Sequence, residues 1–147
     1  MQSKLLQDEH GQKTFAVIFD TGDEVVKGLT DFAREHRLSA SRLTAIGAFQ
    51  DVTLGYFDWQ KKDYTKIPVR EQVEVLSLVG DIAIDDAKGG QPKVHAHVVV
   101  GKADGTAHGG HVMEAHVRPT LEVTLTEAPR YLHRKHDPTT GLALIRL

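Results

Sequence analysis

The chain has 147 residues, 18 basic and 20 acidic, for a formal net charge of −2. That length predicts a single domain, and 40% hydrophobic with 26% charged residues is an ordinary globular balance. There is no cysteine, which excludes a four-thiolate structural zinc site and suits a reducing compartment.

The first residues, MQSKLLQDEHGQK, lack the apolar core of a signal peptide. No apolar run approaches the roughly 20 residues that cross a bilayer. A cytoplasmic protein without a membrane partner is expected. Residues 1–12 are read as an N-terminal segment and 13–147 as the domain. Lys13 to Asp20 is the first predicted strand. A helix is predicted from about Asp23 to His36, capped by Thr21, with Glu24 three residues on as in a capping box. Val25, Leu29, Phe32 and His36 fall at helical spacing, joined by Val26 and Ala33. This is an amphipathic cover for a sheet.

Arg42 to Ala48 and Asp51 to Asp58 are predicted as two strands joined near Gly47–Gln50. The polar stretch Asp58 to Pro68 is predicted as a loop, with Trp59 and Tyr64 either as its packing, the favoured reading, or as surface aromatics that cover another subunit. Glu71 to Asp86 reads as two strands, or as one bent at Gly80-Asp81, followed by a loop over Asp85 to Gln91.

Val94 to Val100 is short and rich in β-branched residues, so it is predicted as a strand. Alternation puts Val94, Ala96, Val98 and Val100 on one face and His95 with His97 on the other. Ala103-Asp104-Gly105 suits a three-residue hairpin loop with glycine in the left-handed region. Lys102 then pairs with Thr106, and counting back along both arms sets His111 opposite His97 and His108 opposite Val100, on the apolar side. A two-residue turn at Asp104-Gly105 would shift the register by one and flip His111 away, so the pairing rests on the three-residue loop or on an equivalent bulge at Gly109-Gly110.

His95, His97 and His111 are therefore the candidate metal ligands. Neutral imidazole suits zinc, copper, nickel and iron. Three protein ligands leave a position open for water or a small molecule, as in catalytic rather than structural zinc sites. Zinc is the expected ion, with another divalent metal as the alternative. No catalytic residue can be named; Glu71, Glu74 and Glu114 are the carboxylates near enough in sequence to help, and the register turns Glu114 away from the three histidines. His108 and His116 are assigned packing or surface roles.

Thr120 to Thr126 alternates strictly and is a further strand, Arg130 to Thr140 is polar and loop-like, and Leu142 to Leu147 is a terminal strand. The fold class expected is α+β, with a central, largely antiparallel, partly barrel-like sheet and one main N-terminal helix.

The segments GDEVVKGLTDFAREHRLSASRLTAIGAFQDVTLGYFD, EVLSLVGDIA, HAHVVVGKADGTAHGGHV and RPTLEVTL, in that order, resemble the PPC domain (plants and prokaryotes conserved, also called DUF296). The resemblance implies an α+β fold and, for stand-alone prokaryotic members, a homotrimer. In plants the domain follows an AT-hook, an Arg-Gly-Arg-Pro segment that enters the minor groove. This sequence has no such segment, and its basic residues are scattered rather than clustered. A DNA-associated regulatory module is accordingly the second reading. A metal-binding homotrimer, with a small-molecule ligand or metalloenzyme chemistry at the metal, is the first. The His-x-His…Gly-Gly-His order of His95, His97 and His111 is also similar to that of acetolactate decarboxylase, a zinc enzyme.

Overall fold

The structure, a computed structural model, describes all residues from Met1 to Leu147. The elements in order are β1 (Gln2–Glu9), β2 (Gln12–Asp20), α1 (Val25–Glu35), β3 (Ala40–Asp58), β4 (Asp63–Val69), β5 (Val73–Asp85), β6 (Gln91–Gly101), β7 (Ala107–Glu127), β8 (His133–His136) and β9 (Ala143–Arg146). A short 3-10 turn, Asp86–Lys88, joins β5 to β6. The architecture is α+β: one mixed nine-stranded sheet and one α-helix. Every strand pair is antiparallel except β5 with β8. The strands β3, β5, β6 and β7 pair in a ring, because β3 bonds β5 and β7, and β6 bonds the same two. No helix is long and apolar enough to cross a membrane.

Two expectations were too fragmented. The two strands anticipated around Gly47–Gln50 are one strand, β3, of 19 residues. Its register slips between Ala45 and Gly47, between Gly47 and Phe49, and between Phe49 and Asp51. The last of these leaves Gln50 as an extra residue on β3 and inverts its in-out alternation, so the pattern breaks while the hydrogen-bonded ladder continues. The second arm of the histidine hairpin, which carries His108 and His111, and the Thr120–Thr126 strand likewise merge into β7, of 21 residues. Three elements had no counterpart in the sequence reading. β1 folds back on β2 through His10 and Gly11, both at positive φ (52° and 81°), and Glu9 pairs with Gln12. β4 pairs along β3 where a loop was expected, and β8 lies within the presumed loop 130–140.

The helix starts two residues later than anticipated, and its cap is Glu24 rather than Thr21. The Glu24 carboxylate accepts from the backbone N–H groups of Val26 and Lys27, taking up two donors the first turn cannot satisfy itself. It also accepts from the Ala115 N–H (3.2 Å), tying the helix start to β7. The Thr21 hydroxyl instead donates to the Pro119 carbonyl. Val25, Leu29, Phe32 and Ala33 form the buried stripe, and Phe32 meets Phe15 of β2 edge-on at 5.3 Å. The continuous core gathers 27 buried residues, with Phe19, Phe49, Leu29, Leu121 and Leu125 fully enclosed. Each such side chain contributes roughly 1.5–3 kcal/mol. That core holds the inner face of β5, β6 and β7 and leaves their outer face for the histidines.

Candidate metal centre

The hairpin between β6 and β7 has the anticipated loop. Lys102 N–H donates to the Thr106 carbonyl (2.9 Å), Gly105 N–H donates to the Lys102 carbonyl (2.9 Å), and Gly105 sits at φ 82°. The Asp104 carboxylate accepts from the Thr106 N–H (2.9 Å) and hydroxyl, bracing the tip. The register follows: Val100 opposes His108, and His97 opposes His111. Ala96, Val98 and Val100 are buried on the other face. His108, expected on the apolar side, is exposed, although Val100 across from it is buried.

His95, His97 and His111 converge so that one ligand atom from each lies within 4.8 Å of the others. The Nε2 atoms of His95 and His97 are 3.2 Å apart. Two nitrogens at 2.0–2.1 Å from a tetrahedral zinc are separated by about 3.3–3.4 Å, so the spacing suits a shared ion. The three imidazole centroids are 5.1, 5.2 and 5.4 Å apart. The Nδ1 of His111 is buried without a hydrogen-bond partner, a costly state for a polar atom unless something else accepts its lone pair or proton. An imidazole-only donor set of this spacing fits a borderline divalent metal.

For two of the rings the surroundings favour the neutral form. Burial, and then the neighbouring His95, lower the pKa of His97. Burial, followed by His95 and His97, pushes His111 down to about 4. The sign of the consequence is fixed. The unfolded chain takes up a proton at His111 near 6.5, and the folded chain refuses it until about pH 4. The metal-free protein should therefore lose stability as pH falls through that window, by roughly 1–2 kcal/mol from this group after allowing for solvent screening. His111→Phe should flatten that slope in urea unfolding curves; an unchanged slope would mean that His111 titrates normally.

Two neighbours escaped the sequence reading. Asp81 on β5 pairs across the ladder with His95, and its Oδ2 lies 3.5 Å from His95 Nδ1. Burial acts to raise the Asp81 pKa, but contacts from His95 and Arg134 outweigh it and hold the group below the usual carboxylate range. A carboxylate behind a ligating imidazole fixes the ring orientation and leaves the far nitrogen for the metal. Arg134 on β8 is buried, forms an ion pair with Asp81, donates to the Ala143 carbonyl (3.1 Å), and reaches within 3.4 Å of His95 Nδ1. Asp81 was recoverable: the short β5–β6 connection sets Asp85 opposite Gln91, and counting back puts Asp81 opposite His95. Nothing in the sequence signals Arg134, which comes from a parallel strand far along the chain.

Tyr64, expected as loop packing, stacks on His111 with centroids 4.8 Å apart and planes 27° apart. Gly55 allows it. Gly55 pairs with His111 on one side and Lys66 on the other, and a Cβ there would lie 2.8 Å from the Tyr64 ring. The anticipated carboxylate helpers are elsewhere. Glu71 binds Lys102 (2.7 Å), Glu74 is exposed opposite Gly101, and Glu114 is exposed, 3.9 Å from His116. His116 pairs with Asp51 at 2.8 Å, outside the cluster.

A family profile described as the Plants and Prokaryotes Conserved (PCC) domain matches residues 6–129. The chain belongs to this family. The PCC domain here is similar in structure to a plant- and prokaryote-conserved protein from Pyrococcus horikoshii, with TM-score 0.84, 29% identity, and 99% and 95% of the two chains covered. A metal-containing protein from Archaeoglobus fulgidus is 34% identical, with TM-score 0.83 over 92% of this chain and 94% of that one. A candidate DNA-binding protein from Ralstonia eutropha is 28% identical, with TM-score 0.82 over 90% of each chain. Among curated proteins, the bifunctional protein GlmU of a Synechococcus strain is 32% identical over 82% of this chain, which spans only 18% of that protein. Acetolactate decarboxylase from Bacillus subtilis shares the fold at 14% identity, with TM-score 0.57 over 88% of this chain and 58% of that one.

Proposed function

We propose that this PCC domain, residues 13–147 with β1 as added edge cover, is a homotrimeric metal-binding protein of the cytoplasm. His95, His97 and His111 hold one divalent ion; zinc is the ion we assign, with another divalent metal as the alternative. The observation that carries the reading is the convergence of one ligand atom from each of the three histidines within 4.8 Å, on a register fixed by backbone hydrogen bonds. The 34% identical metal-containing relative supports it. A zinc ion with an open position polarises a bound oxygen or activates water, so the reading extends to chemistry on a small molecule. The chain's own part is to keep His97 and His111 neutral and to orient His95 through Asp81. Elemental analysis of protein purified without an affinity tag should return about one zinc per chain; a metal content near zero would end the proposal.

The trimer is supported by an exposed apolar face. Val79 and Val99 share the outer side with His97, and Leu76 lies beside them over Gly101; the three are 52%, 43% and 55% exposed. β1 also offers an uncovered edge, a feature that assembly often masks. Light scattering should give three times the 16.2 kDa chain mass, and Val79→Asp should lower it. A monomer at micromolar concentration in the parent protein would refute the assembly.

A DNA-associated module is the second reading, favoured by the Ralstonia eutropha relative. Nanomolar, salt-sensitive binding to an A·T-rich duplex would support it. The net charge of −2 argues for its absence.

A further inference from the structure

Beside the histidines lies a cavity of about 150 Å³, and His95 and His111 form part of its wall. Two cationic side chains, Lys93 and Arg134, line it as well. Arg134 is buried, and its Nε is a donor with no partner. An unmatched donor on a charged group is costly to bury. Lys93 is only loosely held: its Nζ stands 3.7 Å from Asp85 Oδ2, beyond hydrogen-bond distance, and its side chain is 39% exposed. Asp81 offsets Arg134, and Asp85 partly offsets Lys93. Three neutral imidazoles then add nothing to balance a divalent ion, so a loaded site carries an uncompensated positive charge. The remaining wall is different in kind. Val94, Leu142 and Leu144 close it with hydrocarbon.

We propose that this cavity binds a small aliphatic carboxylate, its charged end toward the histidines, Lys93 and Arg134, and its hydrocarbon end against Val94, Leu142 and Leu144. The proposal rests on the metal-site reading and names the ligand class of that site. A carboxylate presents two oxygens to a few convergent donors, which is what this wall supplies. A free phosphate carries more charged oxygens than an apolar wall can satisfy. The volume admits only a few heavy atoms. The covering residues Leu142 and Leu144 belong to the β8–β9 end of the chain, which is anchored beside β5 by the ladder pairs Ile84 with His133 and Asp85 with Arg134 and by the Arg134–Asp81 ion pair.

The test uses the full chain loaded with cobalt(II), whose visible absorption reports changes around the metal. Butyrate and inorganic phosphate are titrated separately. Butyrate should shift the spectrum saturably, at roughly tenfold lower concentration than phosphate. Arg134→Gln should weaken butyrate binding by about tenfold. Because that variant removes a buried ion pair and can unfold, Lys93→Gln provides the second arm, with a loss of several-fold expected at unchanged cobalt content. Equal affinity for butyrate in the parent and Lys93→Gln, or phosphate binding as tight as butyrate, would overturn the carboxylate pocket and leave the metal site standing. A chain that takes up no cobalt would overturn both.

Discussion

Replacing His111 with alanine is expected to strip the protein of most of its metal, whereas replacing His108 leaves metal content unchanged. The two residues lie three positions apart on one strand and have the same chemistry. They differ only in where the hairpin register sends them. His111 stands across from His97, inside the cluster, while His108 stands across from Val100 and faces solvent. Losing one of three imidazoles leaves a two-ligand site, and a protein donor to a structural or catalytic zinc is worth several kcal/mol of binding. A hundredfold or greater loss of affinity is therefore the rough expectation for His111→Ala. Stability should not suffer in parallel. His111 is half-buried, and its orphaned Nδ1 is a liability to the metal-free fold. The measurement is zinc content after dialysis against a weak chelator, alongside urea unfolding of both variants. If both proteins bind as the parent does, the cluster is not the metal site.

This contrast also marks what was legible beforehand. Period-two alternation and one glycine-bearing loop were enough to bring His95, His97 and His111 together, because a hairpin is a local object whose register is set by its own turn. The long strands were not legible in the same way. β3 and β7 cross bulges at Gly47 and near Asp51, and a bulge inverts the pattern from which a strand is read. β4 was missed because it is exposed over Thr65 to Pro68 and looks like a loop when nothing says that β3 runs alongside. The helix was recognised, but its cap was misplaced by three residues, since Glu24 and Thr21 are both plausible acceptors and only the path of β7 past the helix start selects Glu24. Asp81 required pairing β5 with β6 before its neighbours could be named. Arg134 required the one parallel contact in the sheet.

Asp81→Asn is expected to have the second large effect, acting on the metal and on the fold at once. The carboxylate lies between two groups. It faces His95 Nδ1 at 3.5 Å, and it pairs with the guanidinium of Arg134, whose side chain is only 6% exposed. Removing its charge takes from His95 the partner that directs the other nitrogen toward the ion. Changes of this kind cost about 10- to 100-fold in metal affinity. The same change leaves a buried arginine without its counter-ion. Breaking a fully buried pair from one side costs about 3–5 kcal/mol; with Asp81 itself 30% exposed, about 1–3 kcal/mol is the scaled expectation. The two effects separate in a second variant. Asp81→Asn combined with Arg134→Met removes the stranded cation, so stability should recover in large part while metal affinity stays low. Urea unfolding and competitive chelator titration on the parent, the single variant and the double variant measure both quantities. Should the double variant regain metal affinity as well as stability, Asp81 would be a counter-ion for Arg134 alone, with no hand in orienting His95.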